Sequence, residues 1–354
     1  MSGSQTPQQV AGSAGLVHVS DDGPGIRRIR RGQGFSYHTS SGKLITDGEE
    51  RDRITALAIP PAWTEVWISP EPKGHIQATG RDAEGRKQYR YHPKWIEETA
   101  RNKFHRMRTF GRTLPRIRRR VRRDLKREGI PRTKVLAVLV RLLDLTGLRV
   151  GSETSRRSKQ AYGLTTLRRK HVAFLEGGVQ FRFLGKGGKV HELGLADARL
   201  AGILHACYEV PGHELFQYLD EKGDRHPIAS ADVNEYIRTA GGEDFTARDF
   251  RTWVGTIQAL EAMEAMERLP TPGDEDDRER SLLQVLDVVS QTLNNTPSVC
   301  REFYVHPLLV EAYLDGRLPA LLERASGARR VRELRKAEAM FLAILEAPVA
   351  DRDA

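Results

Sequence analysis

The chain has 354 residues, 39% of them hydrophobic, and carries 57 Lys and Arg against 47 Asp and Glu, a formal net charge of +10. At roughly 150 residues per domain that length suggests two domains or three. No apolar run reaches the roughly 18 residues of a membrane span, and the polar stretch from Met1 to Gly15 lacks the basic-then-apolar order of a signal peptide, so a cytoplasmic protein is expected. Two cysteines, Cys207 and Cys300, cannot build a disulfide framework, and no short-spaced Cys or His pairs offer a zinc site. The basic excess points to a polyanionic partner without saying which.

Residues 1–20 are rich in Ser, Gly, Gln, Thr and Pro, the composition of a disordered tail. Over 21–92 short alternating stretches (Gly34 to His38, Val66-Trp67-Ile68, His75 to Ala78) are separated by turn signals such as Ser41-Gly42, Pro60-Pro61 and Glu84-Gly85. This predicts a small β-rich domain with one helix near Glu49 to Leu57. After Pro93 the period becomes helical. Trp95, Ile96, Phe104 and Met107 mark one helix, and Leu114, Ile117, Val121 and Leu125 mark a second, crowded by Arg116, Arg118, Arg119, Arg120, Arg122, Arg123, Lys126 and Arg127. A helix turns every 3.6 residues, so these cations must flank both sides of the apolar stripe, either as a solvated face or as a grip on phosphates. An apolar helix (Val135 to Leu145), a hairpin-like stretch (His171 to Leu193) and further helices follow, with an acidic loop expected from Pro270 to Arg280. The predicted class is α+β: a tail (1–20), a β-rich N-terminal domain (21–92), a mainly helical domain (93–320) and a helical extension (321–354).

Several chemistries fail on spacing. Gly185-Lys186-Gly187-Gly188-Lys189 is not a phosphate loop, because Gln180 stands where the first glycine belongs and Gly187 where Ser or Thr should follow. Asp274-Glu275-Asp276, between Pro272-Gly273 and Arg278, reads as a solvated loop rather than a metal site. There is no His-Glu-x-x-His and no Gly-x-Ser-x-Gly. No cofactor and no metal are therefore expected.

Four separated segments remain: Leu145 to Gly151 with Arg149; Phe183 to His191 with Lys186; Thr246 to Trp253 with Arg251; and Asn295 to Tyr304. Together they resemble the type IB DNA topoisomerases, specifically the small poxvirus and bacterial branch. The likeness runs from about Gly25 to Gly316 and includes Gly85 to Tyr91 and Tyr162 to Leu167. It implies a catalytic domain of the tyrosine recombinase/type IB topoisomerase kind, closing with the N-terminal domain as a monomeric clamp on double-stranded DNA.

The resemblance assigns roles. Tyr304 would attack a phosphodiester and hold the 3′ phosphate. Arg149 and Arg251 would donate to its non-bridging oxygens, and Lys186 would protonate the leaving 5′ oxygen, with Lys189 on the same hairpin as its rival. A phenol with an ordinary pKa near 10 is ionised in about one molecule per thousand at neutral pH, so forming the nucleophile costs about 4 kcal/mol unless neighbouring cations help. Religation needs no ATP, because the phosphotyrosine conserves the bond, and arginines take the place of a metal ion. Asn295 stands where poxvirus relatives carry His, and an amide can donate a hydrogen bond but cannot shuttle a proton. Ser152-Glu153-Thr154-Ser155 also departs from the family pattern.

For DNA contact the resemblance points to Lys87, Gln88, Tyr89 and Tyr91 in the N-terminal domain and to Arg248 and Lys189 in the helical one, with the arginine-rich helix on phosphates and the protein on the nucleoid. Two other readings remain. A tyrosine recombinase would have His where Arg248 stands, and a non-catalytic DNA-binding protein would have no need of the intact Arg149, Lys186, Arg251 and Tyr304 set.

Overall fold

A computed structural model describes residues 6–268, 275–328 and 330–347. The chain divides into two compact units, the first ending at His105 and the second starting at Arg106.

The first unit begins where a disordered tail was expected. Helix α1 (Pro7–Ser13) is closed by a capping box between Thr6 and Gln9, has Pro7 in its first turn, and buries Val10 and Ala11. Val17 then bridges to Gly74. The capping signal, rather than the low apolar content, decides this segment. Strands β1 (Ile26–Arg31) and β2 (Gly34–His38), helix α2 (Gly48–Ala56), and strands β3 (Thr64–Ile68), β4 (Ile76–Arg81) and β5 (Lys87–Tyr91) follow. The strands form an antiparallel sheet of order β2-β1-β3-β4-β5. One face covers a core of Ile26, Ile54, Val66, Ile68 and Ala78, with Trp63 and Tyr37 packed against it.

Helix α3 (Pro93–Asp124) starts in the first unit and ends in the second. Two helices were expected here, yet it runs unbroken through Pro115. An internal proline costs about 3 kcal/mol, while each fully buried aliphatic or aromatic side chain returns about 1.5–3 kcal/mol. Met107, Phe110, Leu114, Ile117 and Val121 are all buried, so the continuous stripe outweighs the lost hydrogen bond.

The second unit continues with α4 (Arg132–Thr146), α5 (Glu153–Lys159), the three-stranded antiparallel sheet β6 (Val172–Leu175), β7 (Gly178–Leu184) and β8 (Val190–Leu195), α6 (Ala198–Glu209), the short pair β9 (Gln217–Leu219) and β10 (Arg225–Pro227), and α7 (Ser230–Gly241). Next come α8 (Ala247–Glu267), α9 (Glu275–Leu293), α10 (Pro297–Phe303), α11 (Pro307–Leu314), α12 (Leu318–Ser326) and α13 (Lys336–Glu346). The hairpin-like stretch expected over 171–193 is thus this three-stranded sheet, one strand more than a hairpin. The loop expected over 270–280 lies outside the described residues up to 274, and from Glu275 it is helix α9.

α8 is the axis of this unit. Phe250, Trp253, Val254, Ile257 and Leu260 are buried, and Phe110 meets the rings of Phe250 and Trp253 edge-on at 5.1 and 5.7 Å. The C-terminal segment, expected as an extension, belongs to the same core. Phe341 of α13 is fully buried, with its ring 5.7 Å from that of Trp253, and Trp253 donates to Glu338 at 3.1 Å. Among the described residues no helix is long and apolar enough to cross a membrane.

Candidate active site

The end of α4 sets the first side chain. Gly147 caps the helix in the left-handed conformation, and the loop after it is clasped by Tyr162 to Leu167: Leu164 N–H donates to the Arg149 carbonyl at 3.0 Å, and Thr165 N–H to that of Val150 at 2.8 Å. The two segments meet at Gly151 and Gly163, where a Cβ on Gly163 would stand 2.5 Å from the Gly151 backbone. Both glycines are therefore required by contact, and the contact aims Arg149.

Arg251 comes from the second turn of α8, whose start is fixed by a capping box between Thr246 and Asp249. Its side chain is buried and donates to the carbonyls of Gly147 at 2.5 Å and Leu293 at 2.6 Å. These are the carboxyl ends of α4 and α9, where orphan carbonyls and the helix dipole favour a cation. Asn295 lies two residues beyond α9 and accepts from Arg149 Nη2 at 2.6 Å. Tyr304 caps α10, with its carbonyl held by Thr256 Oγ1 at 2.9 Å. Gly255 permits that approach, since a Cβ there would lie 3.0 Å from the Tyr304 oxygen. The Arg251 guanidinium carbon sits 4.9 Å from the centre of the Tyr304 ring.

Neither Arg149 nor Arg251 has a carboxylate partner among the described residues, although each is largely buried beside the other. Burial, reinforced by the charge of Arg251, pushes Arg149 down to about 10, still cationic at neutral pH. Burial alone would raise the Tyr304 phenol, but the charges of Arg251 and Arg149 and a hydrogen bond from Arg251 hold it below its ordinary value. In this cluster three buried N–H donors have no partner among the described residues: Arg149 Nη1, Arg251 Nε and Asn295 Nδ2. Unsatisfied buried donors and uncompensated cations each cost free energy, and an anion with several oxygens relieves both at once. Cys300, beside them, is no rival nucleophile, because burial pushes its thiol up to about 11.

Of the five residues predicted to act together, the structure gathers four: Tyr304, Arg149, Arg251 and Asn295. Lys186 is not in that cluster. It stands exposed on the turn between β7 and β8, and no hydrogen bond or ion pair reaches its side chain among the described residues. Lys189 touches the cluster instead, donating to the Asn295 carbonyl at 2.9 Å. Arg248 is exposed one turn before Arg251, and its charge also acts on Tyr304.

Residues 92–314 match the family model of the eukaryotic DNA topoisomerase I catalytic core, and residues 34–82 that of the bacterial DNA topoisomerase IB N-terminal domain. The chain belongs to the type IB DNA topoisomerase family. It is 29% identical over 293 residues to the DNA topoisomerase 1B of Acanthamoeba polyphaga mimivirus, a match covering 82% of this chain and 87% of that protein.

In this type IB topoisomerase the residues expected at DNA in the first unit fall on the edge strand β5. Tyr89 and Tyr91 are each 40% exposed and stack with ring centres 5.7 Å apart. Lys87 pairs with Asp21 at 2.6 Å, and Gln88 donates to Asp82 at 2.7 Å, so both are held by their own unit. Ser152 caps α5 by accepting from the Ser155 N–H at 3.2 Å.

In the arginine-rich stretch over 116–127, expected on phosphates, several cations are held by carboxylates of the protein itself. Arg118 is paired with Asp144 and Glu338, Arg120 and Arg127 surround the buried Asp124, and Arg122 meets Glu333. Much of its charge is matched by internal carboxylates.

Sequence reasoning did not single out His171 or His191. Both are buried; burial, with neighbouring cations, pushes each down to about 4. A histidine whose folded pKa lies below the ordinary 6.5 takes up protons more readily when unfolded. Its stabilising effect is complete above that value and is lost as pH falls toward 4, on the order of 1–2 kcal/mol per histidine. The melting temperature should therefore fall between pH 7 and 4.5, before the low-lying carboxylates protonate. A flat profile in a thermal melt series would show that neither histidine is held neutral.

Proposed function

We propose that the chain relaxes supercoiled DNA by transient cleavage of one strand. The Tyr304 phenol, held low by Arg251 and Arg149, releases its proton to water, its oxygen bonds to a backbone phosphorus, the bond to the 5′ oxygen breaks, and the strand is held as a 3′-phosphotyrosine until the 5′ hydroxyl reverses the step. The observation that carries this reading is the cradle of three unpaired buried donors beside Tyr304. The non-bridging oxygens of the phosphate would take Arg149 Nη1, Arg251 Nε and Asn295 Nδ2, and the two cations would stabilise the charge that grows on the pentacoordinate phosphorus. Such donors contribute on the order of 3 kcal/mol each. Asn295 acts as a donor and as the acceptor that orients Arg149.

In this reading the leaving 5′ oxygen receives its proton from Lys186, which becomes a neutral amine and is recharged on religation. Lys189 is already engaged with Asn295, whereas the Lys186 ammonium is free to reach a substrate. Tyr89 and Tyr91 offer a stacked aromatic surface for a groove or backbone, and both units contact one duplex as a monomeric clamp, placing the enzyme on the nucleoid.

The test is plasmid relaxation without ATP and in the presence of EDTA. The wild type should remove supercoils, and Tyr304→Phe should form no covalent adduct and relax nothing while still binding DNA. Residual adduct in Tyr304→Phe would assign the nucleophile elsewhere, and exchange of strands between specific sites would indicate recombination.

A further inference from the structure

The Lys186 turn lacks a side-chain anchor of its own, yet the hairpin that carries it is fastened. Leu184 pairs with Val190 and Phe183 with His191, and the tip is closed by Gly185 N–H donating to the Lys189 carbonyl at 2.7 Å. The His191 ring stacks on Phe183 with centres 4.8 Å apart and lies so close to Gly185 that a Cβ there would stand 2.4 Å from it. One end of the tip is thus braced from inside the hairpin. The other end is tied to the segment between α9 and α10, the segment that carries Asn295. Lys189 Nζ donates to the Asn295 carbonyl at 2.9 Å, and Asn294 Nδ2 donates to the Val190 carbonyl at 3.1 Å. Asn294 makes its bond from a left-handed backbone, φ +49°, a conformation that asparagine tolerates better than most residues.

We propose that Lys189 and Asn294 form a two-bond clasp that registers the Lys186 turn against the phosphate cradle, making both of them positioning residues for protonation of the leaving 5′ oxygen. The inference rests on the reading of Lys186 as the proton donor. The two bonds run in opposite senses, from hairpin to connector and from connector to hairpin, and they involve neighbouring residues on each side. Either bond alone would leave a pivot; together they fix the tip in two places. Because Asn295 also orients Arg149, the clasp links the proton donor to the group that binds the non-bridging oxygens. A displacement of about 1 Å at such a donor can cost up to about 100-fold in rate.

The test uses single-turnover cleavage at saturating enzyme, on a normal duplex and on one with sulfur in place of the scissile 5′ bridging oxygen. A thiolate leaves without protonation, so defects in proton delivery vanish on the sulfur substrate and defects in the cradle remain. Lys189→Met and Asn294→Gly should slow cleavage of the normal duplex by about 10- to 100-fold and should cleave the sulfur duplex near the wild-type rate. Lys186→Ala should show the same pattern more strongly, and adding Lys189→Met to it should slow the normal duplex no further. Equal slowing on both substrates by Lys189→Met and Asn294→Gly, or a multiplicative double variant, overturns the clasp. If Lys186→Ala is not rescued by sulfur, the assignment of Lys186 itself fails. In that case rescue of Lys189→Met would make Lys189 the donor rather than its support.

Discussion

Replacing Arg149 by Met should lower the single-turnover cleavage rate by about 10²- to 10³-fold, the usual cost of one preorganised donor, without lowering the melting temperature. Arg251→Met should lose as much activity and should also destabilise the protein. The difference follows from what each guanidinium does when no DNA is bound. Arg149 is a half-buried cation beside another cation, without a carboxylate partner among the described residues, and its guanidinium donates to the Asn295 amide oxygen. Its removal relieves repulsion and desolvation at the expense of that bond. Arg251 also ties the carboxyl ends of α4 and α9 together through Gly147 and Leu293. An apolar replacement leaves two buried carbonyls unpaired, at about 1–3 kcal/mol each. Thermal melts of the two variants beside their cleavage rates would settle this, and a clear loss of stability in Arg149→Met would contradict the account of the cradle as a site strained by its own charge.

Several features were legible in the sequence because they depend on local patterns. The alternation in 21–92 corresponds to the five-stranded sheet, and the apolar run from Val135 corresponds to α4, whose Val135 to Val140 are all buried. The order of the four segments brought Tyr304, Arg149, Arg251 and Asn295 together. What remained hidden depends on partners distant in the chain. The charge of α3 could not be divided between solvent, DNA and protein without knowing that Asp144, Glu333 and Glu338 face it. The need for glycine at 185 was hidden too, because it is set by the His191 ring across the hairpin. One miss had a local signal: Thr6-Pro7-Gln8-Gln9 is a capping box with proline in the first turn, and it outweighs a composition that otherwise suggests disorder.

The buried ion network should dominate the stability of the second unit. Arg118 of α3 lies between Asp144 of α4, at 2.7 Å, and Glu338 of α13, at 2.7 Å, and Glu338 also accepts from Trp253 of α8 and from the Arg335 backbone N–H. The Glu338 side chain is fully buried, and despite that burial its bonds to Arg118 hold it down to about 2. Glu338→Ala removes one partner and leaves Arg118 short of a counter-charge and the Trp253 N–H unsatisfied. The expected cost is about 3–5 kcal/mol, or roughly 10 °C in melting temperature for a unit of this size. The double variant Arg118→Met/Glu338→Leu should recover much of that loss, because well-packed apolar side chains can replace a buried ion pair with little penalty, although Asp144 would retain only Arg141 as a partner. Since α13 packs on α8 and, through Phe341, on His306 but contributes no side chain to the cluster, Glu338→Ala should keep its cleavage rate at temperatures where it remains folded. A cleavage defect at those temperatures would mean that the network also sets the placement of Arg251, five residues from α8's Thr246 cap and two from Trp253.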